Sequence, residues 1–162
     1  MSDLKEHAQP AWGDRANFVL QLRIETGDAA FDARTPRYEQ IWTRQKSDDF
    51  YEVCCIPFFL YDLALGDILK VVTQGGTPVV EGVAQKSGHH TFRAWFGSAF
   101  LPVSRDQLVG ELLALPDCLF EWHGQNLLAI DAANDEAANS VARFLENAER
   151  RGQLQYETGR TR

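Results

Sequence analysis

The sequence predicts an α+β protein: a small curved N-terminal β-sheet, or partial barrel, packed on a C-terminal ferredoxin-like half. Two observations carry this. Residues 17–86 read as short strands joined by tight turns, and residues 91–156 read in the order strand, helix, strand, strand, helix, strand, which is the split βαβ arrangement. A third joins the halves, in the stretch Lys86-Ser87-Gly88-His89-His90-Thr91-Phe92-Arg93-Ala94-Trp95-Phe96. As a strand, its period of two sends His89, Thr91, Arg93 and Trp95 to one face and His90, Phe92, Ala94 and Phe96 to the other. The second face is apolar enough to bury; the first is rich in hydrogen-bond donors.

The chain of 162 residues allows one domain or two small, tightly packed subdomains. Residues 1–16 are polar and broken by Pro10 and Gly13, so a flexible segment is expected there, with Trp12 docking on the body. The first subdomain then spans 17–86, the ferredoxin-like one 87–158, and 159–162 form a tail. Phe18, Leu20, Leu22 and Ile24 alternate with polar residues and predict a half-buried strand. Residues 38–44 and 50–56 predict a hairpin across Ser47-Asp48-Asp49, with Pro57 ending its second strand. Residues 58–65 cross over, with one helical turn, to strands at 68–72 and 78–84 joined by Gln74-Gly75-Gly76-Thr77.

In the second half, Ser104 and Gln107 match a capping box ahead of a helix carrying Leu108, Leu112 and Leu115 and stopped by Pro116. Strands at 118–123 and 127–131 flank the turn Gly124-Gln125-Asn126. Asn134 or Asp135 caps a long helix whose stripe takes in Ala138, Val141, Phe144 or Leu145, and Ala148. Gly152 suits the position just past its end, and Leu154 to Tyr156 form a last strand.

A net charge of −7 and a pI near 5.0 argue against nucleic acid or an anionic membrane as partner. The start lacks the pattern of a signal peptide, and no apolar run approaches the roughly 18 residues of a membrane span. Cys54, Cys55 and Cys118 make a poor disulfide framework, and a reducing cytoplasm is expected.

Several motifs recur together in one bacterial family: Tyr38-Glu39-x-x-Trp42, Pro57-Phe58-Phe59, Leu63-x-x-Gly66-Asp67, Ser87-Gly88-His89-x-Thr91-x-Arg93, and Gly152 through Tyr156-Glu157. In this order, over residues 17–158, the chain resembles domain-of-unknown-function family 4265. The resemblance implies a small soluble bacterial protein and names no catalytic residue.

Two surfaces stand out as candidate sites. Ser87, His89, Thr91 and Arg93 offer hydroxyls, an imidazole and a guanidinium to a phosphate or carboxylate. The same residues also suit a structural role, with Arg93 paired to Glu39, Glu81 or Glu121. Asp48, Asp49 and Glu52 on the first half, with Glu146 and Glu149 on the last helix, form acidic spots that could steer a basic partner. The cysteines and His89, His90 and His123 lack metal-ligand spacing, so no metal is expected. No cofactor motif appears. Trp42, Trp95 and Trp122 could stack bases, but with this charge a core or subdomain interface is the expectation.

The expected function is therefore non-enzymatic binding of a protein partner in the cytoplasm. Its most concrete form is an acidic immunity-type protein filling the active site of a cognate toxin with a basic cleft. The alternative is a small-anion or nucleotide site, even an enzyme, at the His89/Thr91/Arg93 row.

Overall fold

The computed structural model describes residues 3–25, 36–97 and 105–160, arranged as two sheets with two helices. The first sheet contains β1 (Asp3–Lys5), β2 (Phe18–Arg23), β3 (Arg37–Ser47), β4 (Phe50–Val53), β5 (Ile68–Gln74) and β6 (Thr77–Gln85). Its order is β1-β3-β4-β5-β6, with β2 also on β3, and β1 and β6 do not pair to close a barrel. Alternation builds the core beneath it: Leu20, Ile41, Val53, Leu69 and Val71 are all buried.

The second half is α+β with the predicted ferredoxin-like order: β7 (His90–Trp95), α1 (Arg105–Leu113), β8 (Cys118–His123), β9 (Leu127–Ala132), α2 (Asp135–Arg150) and β10 (Gln155–Thr158). The strands lie in the order β10-β7-β9-β8, antiparallel throughout. Phe92, Ala94 and Phe96 pack with Leu108 and Leu112 of α1 and Val141 and Leu145 of α2. The apolar face of the strand at 91–96 is thus the helix-bearing face. Its donor-rich face meets the first half.

α2 starts at Asn134, whose side chain accepts from the Ala137 N–H at 2.9 Å. Asn134→Ala is expected to cost about 1 kcal/mol by leaving that donor without its cap, read as a fall in the denaturation midpoint at unchanged slope. At the other end Gly152 takes φ +69°, the left-handed conformation a helix stop favours. For α1, Ser104 lies outside the described residues, and the Gln107 amide donates to Glu111 rather than to a cap.

Four expectations need correction. Residues 3–16 are not a loose segment: β1 pairs in parallel with β3, His7 is buried, and the Trp12 N–H donates to the Cys54 carbonyl at 2.9 Å. Of the tail expected at 159–162, Gly159 is tied to the body, donating to the Thr91 carbonyl at 2.8 Å and accepting from Asp62 at 2.6 Å, while residues 161 and 162 lie outside the described residues. A Cβ at Gly159 would stand 2.8 Å from that of Thr91, so only glycine fits without a shift. The hairpin's second strand stops at Val53, not residue 56, because Val53 already exchanges bonds with Gly66 and Asp67. No helical turn forms in 58–65; Asp62 there adopts φ +58°.

Candidate functional site

Residues 54–67 leave the first sheet and run, mostly buried, between the two halves. A buried segment with no ladder must find partners for its backbone polar groups elsewhere. Here charged and hydroxyl side chains supply them. Glu39 accepts from Phe58 N at 2.6 Å and Phe59 N at 2.9 Å, and Glu121 accepts from Ile56 N at 2.5 Å. In the other direction, Arg93 donates to the carbonyls of Pro57 and Leu60, Thr91 to Leu63, and Ser87 to Leu65. Asp67 accepts from Ala64 N at 3.0 Å and from Ser87 N at 2.7 Å.

His7 closes the arrangement. Its Nε2 lies 2.9 Å from Glu39 on the first sheet, and its Nδ1 lies 2.8 Å from Glu121 on the second. Both nitrogens face carboxylates that already accept backbone N–H groups, so both carry protons and the ring is an imidazolium. Burial alone would favour the neutral form. The Cys55 sulfur and the Glu121 and Glu39 carboxylates outweigh it and push His7 up to about 12. The ring also stacks on Phe58 at 4.2 Å, so the position is fixed by packing as well as charge.

The four residues singled out as a possible ligand row do not converge on a ligand. Ser87 and Thr91 donate to backbone carbonyls, and Arg93 is 2% exposed. Arg93 pairs with Glu157 at 3.0 Å, rather than with Glu39, Glu81 or Glu121, and its guanidinium lies over the Tyr61 ring. Glu81 faces Lys70 instead.

His89 differs from the other three. Its Nδ1–H donates to both oxygens of Asp131 at 2.9 and 3.0 Å, and among the described residues Nε2 has no hydrogen-bond partner. Asp131 is itself buried. The bond to Asp131 outweighs burial and raises His89 above its ordinary value; burial likewise raises Asp131. The edge of Trp12 stands against the imidazole, with ring centroids 5.7 Å apart.

His89 lines a cleft of about 670 Å³ between the crossing segment and α2. Leu63, Ala64, Ala138 and Ala142 supply its apolar surface, while Lys86 and Arg160 add cations. The anions are mostly engaged: Asp67 by two N–H groups and Lys86, Asp135 by His90 at 2.7 Å. This size and lining suit a small molecule.

The other candidates stay apart. Asp48 and Asp49 are exposed at the β3–β4 turn, next to a half-buried Glu52. Glu146 pairs with Arg150 at 2.5 Å on α2, and Glu149 accepts from Tyr156 N at 3.2 Å. These two acidic groups lie on separate elements, the β3–β4 hairpin and α2, and share no hydrogen bond or ion pair among the described residues. Cys54, Cys55 and Cys118 are free thiols; burial raises Cys54 and Cys118 to about 11. Among the described residues no three His, Cys, Asp or Glu side chains form a set that could hold a metal ion. Trp95 and Trp122, expected at a core or interface, are exposed.

The reading of the sequence missed His7 and Asp131 altogether. The available signal was the strand pattern at Glu39, which alternation sets on the same buried face as Ile41 and Thr43, where a carboxylate needs a partner.

A family model described as Domain of unknown function (DUF4265) matches residues 39–156. The chain belongs to this family. The motif residues of this DUF4265 chain now have structural roles, since Glu39, Asp67, Ser87, Thr91, Arg93 and Glu157 all hold the crossing segment or its anchors. Among solved structures, it is similar to a hypothetical protein from Neisseria gonorrhoeae, at a TM-score of 0.66 and 17% identity over 88% of this chain and 93% of the other. That likeness supports the fold alone. No curated protein matches the chain. Among the described residues no helix is long and apolar enough to cross a membrane.

Proposed function

We propose that this DUF4265 chain is a binding protein that takes a small molecule with an apolar body and one anionic group into the cleft beside His89. One observation carries the reading: in a row whose Ser87, Thr91 and Arg93 are engaged within the fold, His89 lines the 670 Å³ cleft and keeps one ring nitrogen without a hydrogen-bond partner among the described residues. Its raised pKa keeps more of the ring protonated at neutral pH, and an imidazolium Nε2–H is a charge-assisted donor to carboxylate or phosphate. The apolar residues opposite suit a hydrocarbon or ring. Binding rather than catalysis is favoured because Ser87 and Thr91, the hydroxyls nearest in sequence, donate to carbonyls, and the thiols have raised pKa values.

The test is a thermal-shift series with hexanoate, adenosine monophosphate and inorganic phosphate. At 100 times its dissociation constant a true ligand adds roughly 2.7 kcal/mol. At least one probe is expected to raise the melting temperature of the native protein, and His89→Asn is expected to remove that rise. Equal shifts in both proteins would sink the assignment to His89.

A protein partner is the second reading, and an immunity-type role facing a basic cleft is its most concrete form. Its support is the net charge of −7 and the exposed pair Asp48 and Asp49. A salt-sensitive, stoichiometric protein captured by the tagged chain, and lost in Asp48→Lys/Asp49→Lys, would favour it over the cleft.

A further inference from the structure

We propose that the His89 cleft takes up its anion together with one proton, so that it fills on the acid side and empties as pH rises. The inference rests on the anion reading of the cleft and adds what controls its filling. Geometry decides which nitrogen titrates. Both Asp131 oxygens stand against His89 Nδ1, at 2.9 and 3.0 Å, and Asp131 is 1% exposed. The Nδ1 proton is therefore held in either charge state, and the second proton comes and goes at Nε2. Protonated, Nε2–H is a donor to an anion; deprotonated, it turns a lone pair toward the same place and repels one. Imidazole is the side chain whose ordinary value lies beside neutrality, and the bond to Asp131 raises His89 above its 6.5.

The charges around the ring make that proton decisive. Among the described residues lining the cleft, the carboxylates are Asp62 of the crossing segment, Asp67 ahead of β5 and Asp135 of α2. The cations are Lys86, on the approach to β7, and Arg160 of the C-terminal segment. With His89 neutral the lining is net negative and opposes an anion; one proton on His89 removes the excess. Asp131 and Asp67 both favour the protonated ring. From the N-terminal segment the facing group is the edge of Trp12, on whose indole Arg15 stacks. His90 does not duplicate His89, because both its nitrogens are engaged: Nε2 lies 2.7 Å from Asp135 and Nδ1 lies 3.3 Å from Arg160.

Hexanoate and hexan-1-ol are the probes, titrated into the full chain from about pH 6 to 9, where a carboxylate stays ionised. Affinity is read from backbone amide signals by nuclear magnetic resonance, so one readout serves every variant. Above the pH at which His89 titrates, hexanoate affinity is expected to fall about tenfold per pH unit. Hexan-1-ol has the same hydrocarbon and a hydroxyl that both donates and accepts, so its affinity should stay level. By linkage, saturating hexanoate should raise the pH at which His89 titrates, and hexan-1-ol should not. His89→Asn should lose the slope, and His90→Gln should keep it. The proposal is overturned, with the cleft reading left standing, if hexanoate binds through His89 equally well at every pH, if hexan-1-ol shows the same slope, or if His90→Gln abolishes it. If hexanoate binds at no pH, or binds His89→Asn as tightly as the native protein, the cleft reading falls and the proton coupling with it.

Discussion

His7→Ala is expected to be among the most destabilising single substitutions in the chain, costing about 3–5 kcal/mol, the usual penalty for removing one partner of a buried ion pair. Glu39 and Glu121 would keep their backbone donors but lose the charge that compensates both, and the stack on Phe58 would be lost as well. For a chain of this length that is a fall in melting temperature of roughly 10 °C. The pH dependence gives a sharper reading. His7 has an ordinary value of 6.5 and is raised to about 12 in the fold. A raised value means that its contribution is complete below the unfolded value and is lost as pH climbs toward the folded one. The stability gap between the native protein and His7→Ala should therefore be widest near pH 6 and should narrow steadily toward pH 10. A gap that does not change with pH would show that His7 contributes packing and no charge.

Arg93→Ala is the second large effect, also about 3–5 kcal/mol. The guanidinium serves the carbonyls of Pro57 and Leu60 and the Glu157 carboxylate together, and its removal leaves buried acceptors unpaired. Arg93→Lys should rescue little of this, because an ammonium cannot reproduce a planar fork spanning three acceptors. Urea denaturation measures both. Ligand binding at the cleft, measured below the variant's unfolding transition, should survive Arg93→Ala. Loss of binding in a folded Arg93→Ala protein would return Arg93 to the ligand row and would contradict its role as an internal clamp.

These two residues also show what the sequence made legible. Alternation along residues 91–96 correctly separated Phe92, Ala94 and Phe96 from Thr91 and Arg93, because a strand's period is a local property. Element order in the second half was legible for the same reason, and the ferredoxin-like topology followed from it. What the donor-rich face was for depended on residues far away in the chain. Arg93 meets carbonyls at 57 and 60 and a carboxylate at 157, and no local pattern pairs those positions. His7 is the clearest instance. A polar stretch broken by proline and glycine predicts mobility by composition, yet one imidazole between carboxylates from separate sheets fixes it. His89 was picked out for its donors, while the residue that sets its state, Asp131, looked like an ordinary strand end.

The central claim is that His89, unlike Ser87, Thr91 and Arg93 of the same row, is open to a ligand, and histidine-ring nuclear magnetic resonance tests it most directly. The chain has four histidines, so the long-range nitrogen–proton spectrum is simple to assign by substitution. During titration with hexanoate or adenosine monophosphate, the account predicts a saturable shift at His89 Nε2, with Nδ1 staying protonated against Asp131. The His7 signals should stay doubly protonated and unmoved. A His89 ring indifferent to every probe, or one that drifts with His90 without saturating, would contradict the account.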